Sequence, residues 1–197
     1  VPSAIRWSAL AGILIVAALW IQAPQWTGVV NAQERANAAD RKPIVLDRAP
    51  ARNIADPNPV FRAVVLDPDA GEVFVANDKE SAGTSILVYP SEFPATDRIM
   101  EPKRRIAGNN TDLGMVCGLA ISVAHGELYS VSGETGTLNV YPLEGSGNIA
   151  PERQLDGIVP RATAGVFLDV KNDDLFFTTE HVDRINVYPR TFTENQE

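Results

Sequence analysis

One phrase recurs three times along the chain: an apolar strand, an acidic turn, a second apolar strand, and a third that ends in Tyr-Pro. The first two strands and their turn occupy Arg62–Asn77, Gly118–Gly133 and Gly165–Glu180. The closing strands are Ser85-Ile-Leu-Val-Tyr-Pro90, Thr137-Leu-Asn-Val-Tyr-Pro142 and Arg184-Ile-Asn-Val-Tyr-Pro189. Their tyrosines stand at 89, 141 and 188, a spacing of 52 and then 47 residues. A repeat of that length belongs to stacked β-units rather than to one ordinary globular core.

Each unit also carries a fainter element, Arg52-Asn-Ile54, Arg104-Arg-Ile106 or Arg153-Gln-Leu155, a short loop ahead of the next apolar strand. One cycle therefore reads as four short strands of about 4–7 residues joined by tight turns. Alternation in Glu72–Asn77 and Ile185–Tyr188 supports the strand assignment. Asp67-Pro-Asp-Ala-Gly71 and Lys171-Asn-Asp-Asp174 supply the side-chain oxygens and positive-φ tolerance that tight turns need. Proline closes every third strand because it has no amide hydrogen for a ladder.

The middle unit contains Arg105-Ile-Ala-Gly108, Cys117-Gly-Leu-Ala-Ile121, Gly126-Glu-Leu-Tyr129, Leu138-Asn-Val-Tyr-Pro142 and Gly147-Asn-Ile-Ala-Pro151. On these motifs the chain, over residues 43–190, resembles the NHL-type bacterial β-propellers. The first and third units match more loosely. The resemblance implies one four-stranded antiparallel blade per repeat; it speaks to packing and not to activity. The expected fold class is all-β, a partial, about three-bladed propeller-like repeat domain. Propellers close with about four to eight blades, and only three units are present. Pro43-Ile-Val-Leu-Asp47 reads as one stray strand, and the last unit lacks a fourth strand of its own, which Arg52–Ile54 supplies only if the ends meet. An open arc of three sheets, a six-bladed ring built by two chains, and a shortened relic all satisfy the count. An open arc leaves edges that neighbours or charges must protect.

The run Trp7–Ile21 is apolar and uncharged, preceded only by the α-amine and Arg6. A secretory signal with cleavage after Val30-Asn-Ala32 is one reading. The apolar core, however, ends at Ile21, which leaves a long cleavage region. Tryptophan placement favours an uncleaved anchor: all three stand here, at Trp7, Trp20 and Trp26. The 19 residues from Trp7 to Trp26 span about 28 Å as a helix, close to a bilayer's hydrocarbon thickness. The expected organisation is residues 1–6 cytoplasmic, 7–26 transmembrane helix or uncleaved signal anchor, 27–42 polar stalk, and 43–197 an extracytoplasmic β-repeat domain. Arg6 on the short side sets the N-in orientation in a bacterial inner membrane, with the repeat domain in the periplasm. Val1 fits a non-ATG start read literally.

A net charge of −8 repels polyanions, so nucleic acid is excluded as a partner. The local basic group Lys103-Arg104-Arg105 reads as a solvated edge or docking spot. The single cysteine, Cys117, rules out an intrachain disulfide and reads as a small core residue.

No constellation carries chemistry. His125 and His181 lack any ligand spacing, and His125 falls in the turn position of Ala70 and Asp173. Asp67, Asp69, Asn172, Asp173 and Asp174 lie in separate hairpins without a calcium-loop order. There is no nucleophile elbow, and Gly133-Glu-Thr-Gly136 is a hairpin turn rather than a phosphate loop. No catalytic residue, metal site or cofactor is expected. The tyrosines of the Tyr-Pro strands are expected to pack between sheets. The segments that differ most between units are Asp78–Thr84 and Ser91–Asp97, so Asp78, Lys79, Glu80 and Phe93 form the candidate interaction loops.

The expected function is a membrane-anchored accessory subunit, docked on a larger bacterial membrane complex of respiratory or photosynthetic type. Its expected partners are that complex's subunits and the lipid bilayer, with a homo-oligomer as a further option. A propeller-type lactonase formed by ring closure, and a cell-surface ligand sensor, are the alternatives.

Overall fold

The acidic turn inside each repeat sets the register of the strands around it. In the first, Asp67 Oδ1 accepts the amides of Asp69 and Ala70 at 3.0 and 2.9 Å. In the third, Asp169 Oδ1 accepts those of Lys171 and Asn172 at 3.0 and 3.3 Å. In the second, Ser122 Oγ meets His125 Nδ1 at 2.8 Å. Each turn then needs one left-handed residue: Gly71 (φ 64°), Gly126 (φ 66°) and Asp173 (φ 61°). Asp173 is thus the counterpart of the two glycines, so the turn residue matching His125 is Asn172, one position earlier than the repeat alignment in sequence suggests.

The computed structural model describes residues 48–56, 60–80, 83–93, 99–156, 163–180 and 184–192, with the backbone alone for Lys79 and Glu80. The chain divides into two compact units, Val1–Arg48 and Ala49–Glu197, and every described residue except Arg48 belongs to the second. Among the described residues the fold is all-β. Sheet 1 orders β1 (Phe61–Asp67), β2 (Glu72–Glu80), β3 (Gly83–Pro90) and β4 (Arg104–Ala107) side by side. Sheet 2 repeats this with β5 (Val116–Ser122), β6 (Glu127–Ser132), β7 (Leu138–Pro142) and β8 (Arg153–Leu155). Sheet 3 has only β9 (Thr163–Asp169), β10 (Asp174–Thr179) and β11 (Ile185–Pro189). All these pairings are antiparallel.

The sequence placed Asp78–Thr84 in a loop, but the ladder continues: β2 runs to Glu80 and β3 begins at Gly83, with Glu80 opposite Gly83. Arg52–Ile54, expected as a strand, forms no ladder among the described residues. Ala55 alone makes a parallel bridge, to Ile99. Among the described residues no third strand lies beside this segment. Pro43–Asp47 lies outside the described residues.

The first three strands of each sheet carry apolar side chains on both faces, and stacking resolves this for the middle sheet. Phe74, Ile86, Val88 and Ile106 of sheet 1 pack on Leu119, Leu128 and Tyr141 of sheet 2. The opposite face of sheet 2, with Ala120, Tyr129, Val131, Leu138 and Val140, packs on Leu168, Leu175 and Phe177 of sheet 3. Tyr141 and Tyr188 pack between sheets as expected, whereas Tyr89, also fully buried, lies on the far face of sheet 1 among Ile54, Val73 and Met100. Cys117 is half-buried in β5.

The first strands of neighbouring sheets approach closely at Gly118. A Cβ there would lie 2.8 Å from the Val166 amide nitrogen and 3.0 Å from Gly165 Cα, both backbone atoms. Replacing Gly118 by valine is expected to cost about 1–3 kcal/mol of unfolding free energy through overpacking. Equilibrium denaturation of the full chain measures it; an unchanged midpoint would refute the close approach.

Candidate functional site

Two arginines pin the sheets together. Arg104 in β4 binds Glu72 of its own sheet at 2.7 Å and donates across to the Leu143 carbonyl of sheet 2 at 3.0 Å. Its charge also lies 3.6 Å from Glu144. Arg153 in β8 repeats the pattern, pairing with Glu127 of its own sheet and donating to the Arg190 carbonyl beyond sheet 3 at 2.8 Å. Arg190 adds a second clamp, to Glu127 at 2.8 Å and to Asp173 at 2.5 Å. Lys103 completes the Glu72 cluster at 2.5 Å. Two members of the basic run 103–105 are thus structural ion-pair partners, not a free docking spot.

Burial alone would raise the Glu127 carboxyl, but hydrogen bonds from Tyr129 and Arg190 and the charge of Arg153 hold it below its ordinary value. Glu72 is depressed in the same way by Lys103 and Arg104, against its burial. Burial and the neighbouring Glu127 push the Tyr129 hydroxyl above its ordinary value.

At the ends of the stack the same apolar faces are uncovered. On sheet 3, Phe167, Ile185 and Val187 are 67, 66 and 49% exposed. Their counterparts in the middle sheet, Ala120, Leu138 and Val140, are 6% exposed or less. On the far face of sheet 1, Val64 is 67% exposed where the equivalent Leu119 of sheet 2 is 7%, and Leu66 is 51% exposed where the equivalent Ile121 is half-buried. Among the described residues Ile54, Val73 and Met100 pack on the small cluster of Val75, Leu87 and Tyr89 there. Beside it runs an apolar groove of about 470 Å³, lined by Ile54, Phe61, Val64, Val73, Val75 and Phe93.

Phe93 stands on the groove wall, with Arg52 stacked over its ring at 5.3 Å. Asp78 is not in the groove; it pairs with Arg62 and is largely buried. The side chains of Lys79 and Glu80 lie outside the described residues, as do Arg6, Trp7, Trp20 and Trp26. Among the described residues no helix is long and apolar enough to cross a membrane. Sequence reasoning passed over Phe61, Val64, Phe167, Ile185 and Val187, which read as ordinary core positions. The signal available was the repeat itself: their counterparts need a covering sheet, and these had none assigned.

A larger polar recess of about 700 Å³ opens between sheets 1 and 2 near Thr111, Asp112, Thr137 and Asp156. Its polar groups are already engaged: Thr137 donates to Asp156 at 3.0 Å and Gln154 donates to Asp112. Ser122, beside His125, is 1% exposed, which suits a turn closure and not an attacking nucleophile. No group of three or more His, Cys, Asp or Glu able to hold a metal occurs among the described residues. What the described residues do present is exposed apolar side chains at both ends of the stack and one apolar groove.

No family model matches the chain. No curated protein matches it. Among solved structures, the calcium structure of Trichoderma reesei carbohydrate-active enzymes family AA12 aligns with a TM-score of 0.47 at 14% identity, covering 73% of this chain and 38% of that one. The iodide structure of the same enzyme family aligns with a TM-score of 0.43 at 17% identity, covering 72% and 39%. The chain thus spans about two fifths of the length of these structures. Likeness at this level carries no argument about activity.

The depressed Glu127 carries a pH signature. Its folded-state value lies below its unfolded value near 4.5, so its stabilisation is complete above that pH and disappears as the pH falls through the folded value. Glu127→Gln is expected to lose about 1–3 kcal/mol at neutral pH and to show a shallower acid decline than the wild type. Thermal melts between pH 3 and 7 check this; parallel declines would contradict it.

Proposed function

We propose that this chain is a non-catalytic docking subunit: a partial, three-bladed propeller held at a bacterial inner membrane by the apolar segment 7–26. On this reading the repeat domain lies on the extracytoplasmic side and joins a larger membrane assembly through its uncovered end faces. The observation that carries the reading is the contrast between middle and end sheets. Positions buried in sheet 2 stand open at Phe167, Ile185 and Val187 of sheet 3 and, beside the buried Val75, Leu87 and Tyr89, at Val64 on the far face of sheet 1. Full burial of one large apolar side chain is worth roughly 1.5–3 kcal/mol, so covering either face is a strong drive to associate. The apolar groove holding Phe93 gives a partner a recess with an aromatic wall, the kind of feature that concentrates binding energy.

The test is purification of the tagged full chain in mild detergent. It is expected to elute in an assembly at least twice its own mass. A Phe61→Asp, Val64→Asp double variant is expected to leave that assembly while keeping its β-sheet circular dichroism. A lone wild-type monomer would contradict the reading. Recovery of a freely soluble chain trimmed after Ala32 would remove its membrane part.

A further inference from the structure

The arginine that seals each joint of the stack occurs a third time, without the sheet to which it should belong. On the face of sheet 1 that meets sheet 2, one cross-strand row reads Val65, Phe74, Val88, Arg104. On the face of sheet 2 that meets sheet 3, the row is Ala120, Tyr129, Val140, Arg153. On the open face of sheet 3 it reads Phe167, Phe176, Val187 and stops, because β11 is the edge strand. The neighbouring row behaves alike: Ala76, Ile86, Ile106 in sheet 1 and Val131, Leu138, Leu155 in sheet 2. In sheet 3 only Thr178 and Ile185 are present.

The missing members stand at the other end of the stack. Residues 52–56 lie on sheet 1 as β4 and its following loop lie on sheet 2. Ala55 makes a parallel bridge to Ile99, and Ile106, one position earlier in the repeat, makes one to Gly147. Tyr89 donates to Asp56 at 3.0 Å, as Tyr141 donates to the Thr111 carbonyl at 2.5 Å. Arg52 binds Glu92 at 3.0 Å, the residue matching Glu144 beside Arg104. This segment lies on the sheet that follows it as an outer strand would, with no strand paired beside it among the described residues.

We propose that a second copy of this chain supplies that sheet, head to tail. The inference rests on the docking reading above and names the partner. Sheet 3 of one copy packs its open face on the far face of sheet 1 of the other, and Arg52–Ile54 pairs antiparallel with β11. The register is set by the two internal joints: Arg52 opposite Val187, Asn53 opposite Asn186, Ile54 opposite Ile185. Arg52 then meets Asp174, the residue at the place of Glu72 and Glu127. All three stand opposite the proline of the Tyr-Pro strand, and Asp174 has no ion pair among the described residues. A copy fits better than a foreign partner because the chain already holds both halves of a joint it makes twice internally. Two copies present six sheets, within the about four to eight with which such rings close, and two identical head-to-tail contacts close it.

The test uses full-length chains in mild detergent, with Cys117→Ser as background. Sedimentation should give twice the monomer mass. Chains bearing Asn53→Cys and differently tagged chains bearing Asn186→Cys should form a disulfide only with each other. Arg52→Asp and Asp174→Arg should each shift the chain toward monomer, and an equimolar mixture should restore the dimer, because both contacts in the mixed pair regain opposite charges. That rescue also shows that each variant folds. Cross-linking only between identical positions would overturn the inference. So would a stable complex with a different polypeptide and no self-contact, which leaves the docking reading standing. A monomer with nothing bound would overturn both.

Discussion

A β-sheet that is apolar on both faces needs two covers, and this requirement organises the molecule. Alternation along strands such as Glu72–Asn77 places hydrophobic side chains on either side of the pleat. Sheet 2 has both covers, and Tyr129, Tyr141, Leu128 and Leu138 are completely buried in it. Among the described residues sheets 1 and 3 have one covering sheet each. The groove at Phe93, the open row of sheet 3 and the bare outer strand at Arg52 are consequences of one missing neighbour on each side.

Hydrophobic stacking by itself does not fix which sheet follows which; the arginine seam does. A guanidinium presents a rigid fork of donors that can divide between two acceptors. Arg104 and Arg153 divide theirs between a glutamate of their own sheet and a backbone carbonyl of the next. Each contact thus has a direction, own sheet to following sheet, and Arg52 points the same way with only the second half satisfied. The close passage of β5 at Gly118 against the backbone of β9 sets how tightly successive first strands approach.

Much of this was legible in the sequence, for identifiable reasons. The Tyr-Pro strands and acidic turns marked β1–β3, β5–β7 and β9–β11, and the Arg-X-Ile/Leu pattern marked β4 and β8. Phe93 stood out because its segment breaks the repeat, and it does line the groove. Other features were hidden by the same regularity. Periodicity shows that Phe167, Ile185 and Val187 face a neighbour but not whether one exists. Asp78 looked like loop because it is polar and follows a repeat boundary, yet the backbone ladder continues past it and its carboxylate is taken by Arg62. Asp173 adopts a left-handed turn conformation that glycine marks in the other two repeats, and aspartate marks less plainly. The Trp-flanked apolar run of residues 7–26 lies outside the described residues, so the anchoring helix stands as proposed.

The central claim is that the ends of the stack are joints like its interior. Amide hydrogen exchange of β11 in the detergent-purified native chain tests it most directly. Protection of its outward-facing amides comparable to those of β7, lost on dilution to monomer, is the expected result. Fast exchange at β11, characteristic of a bare sheet edge, at every concentration would contradict it.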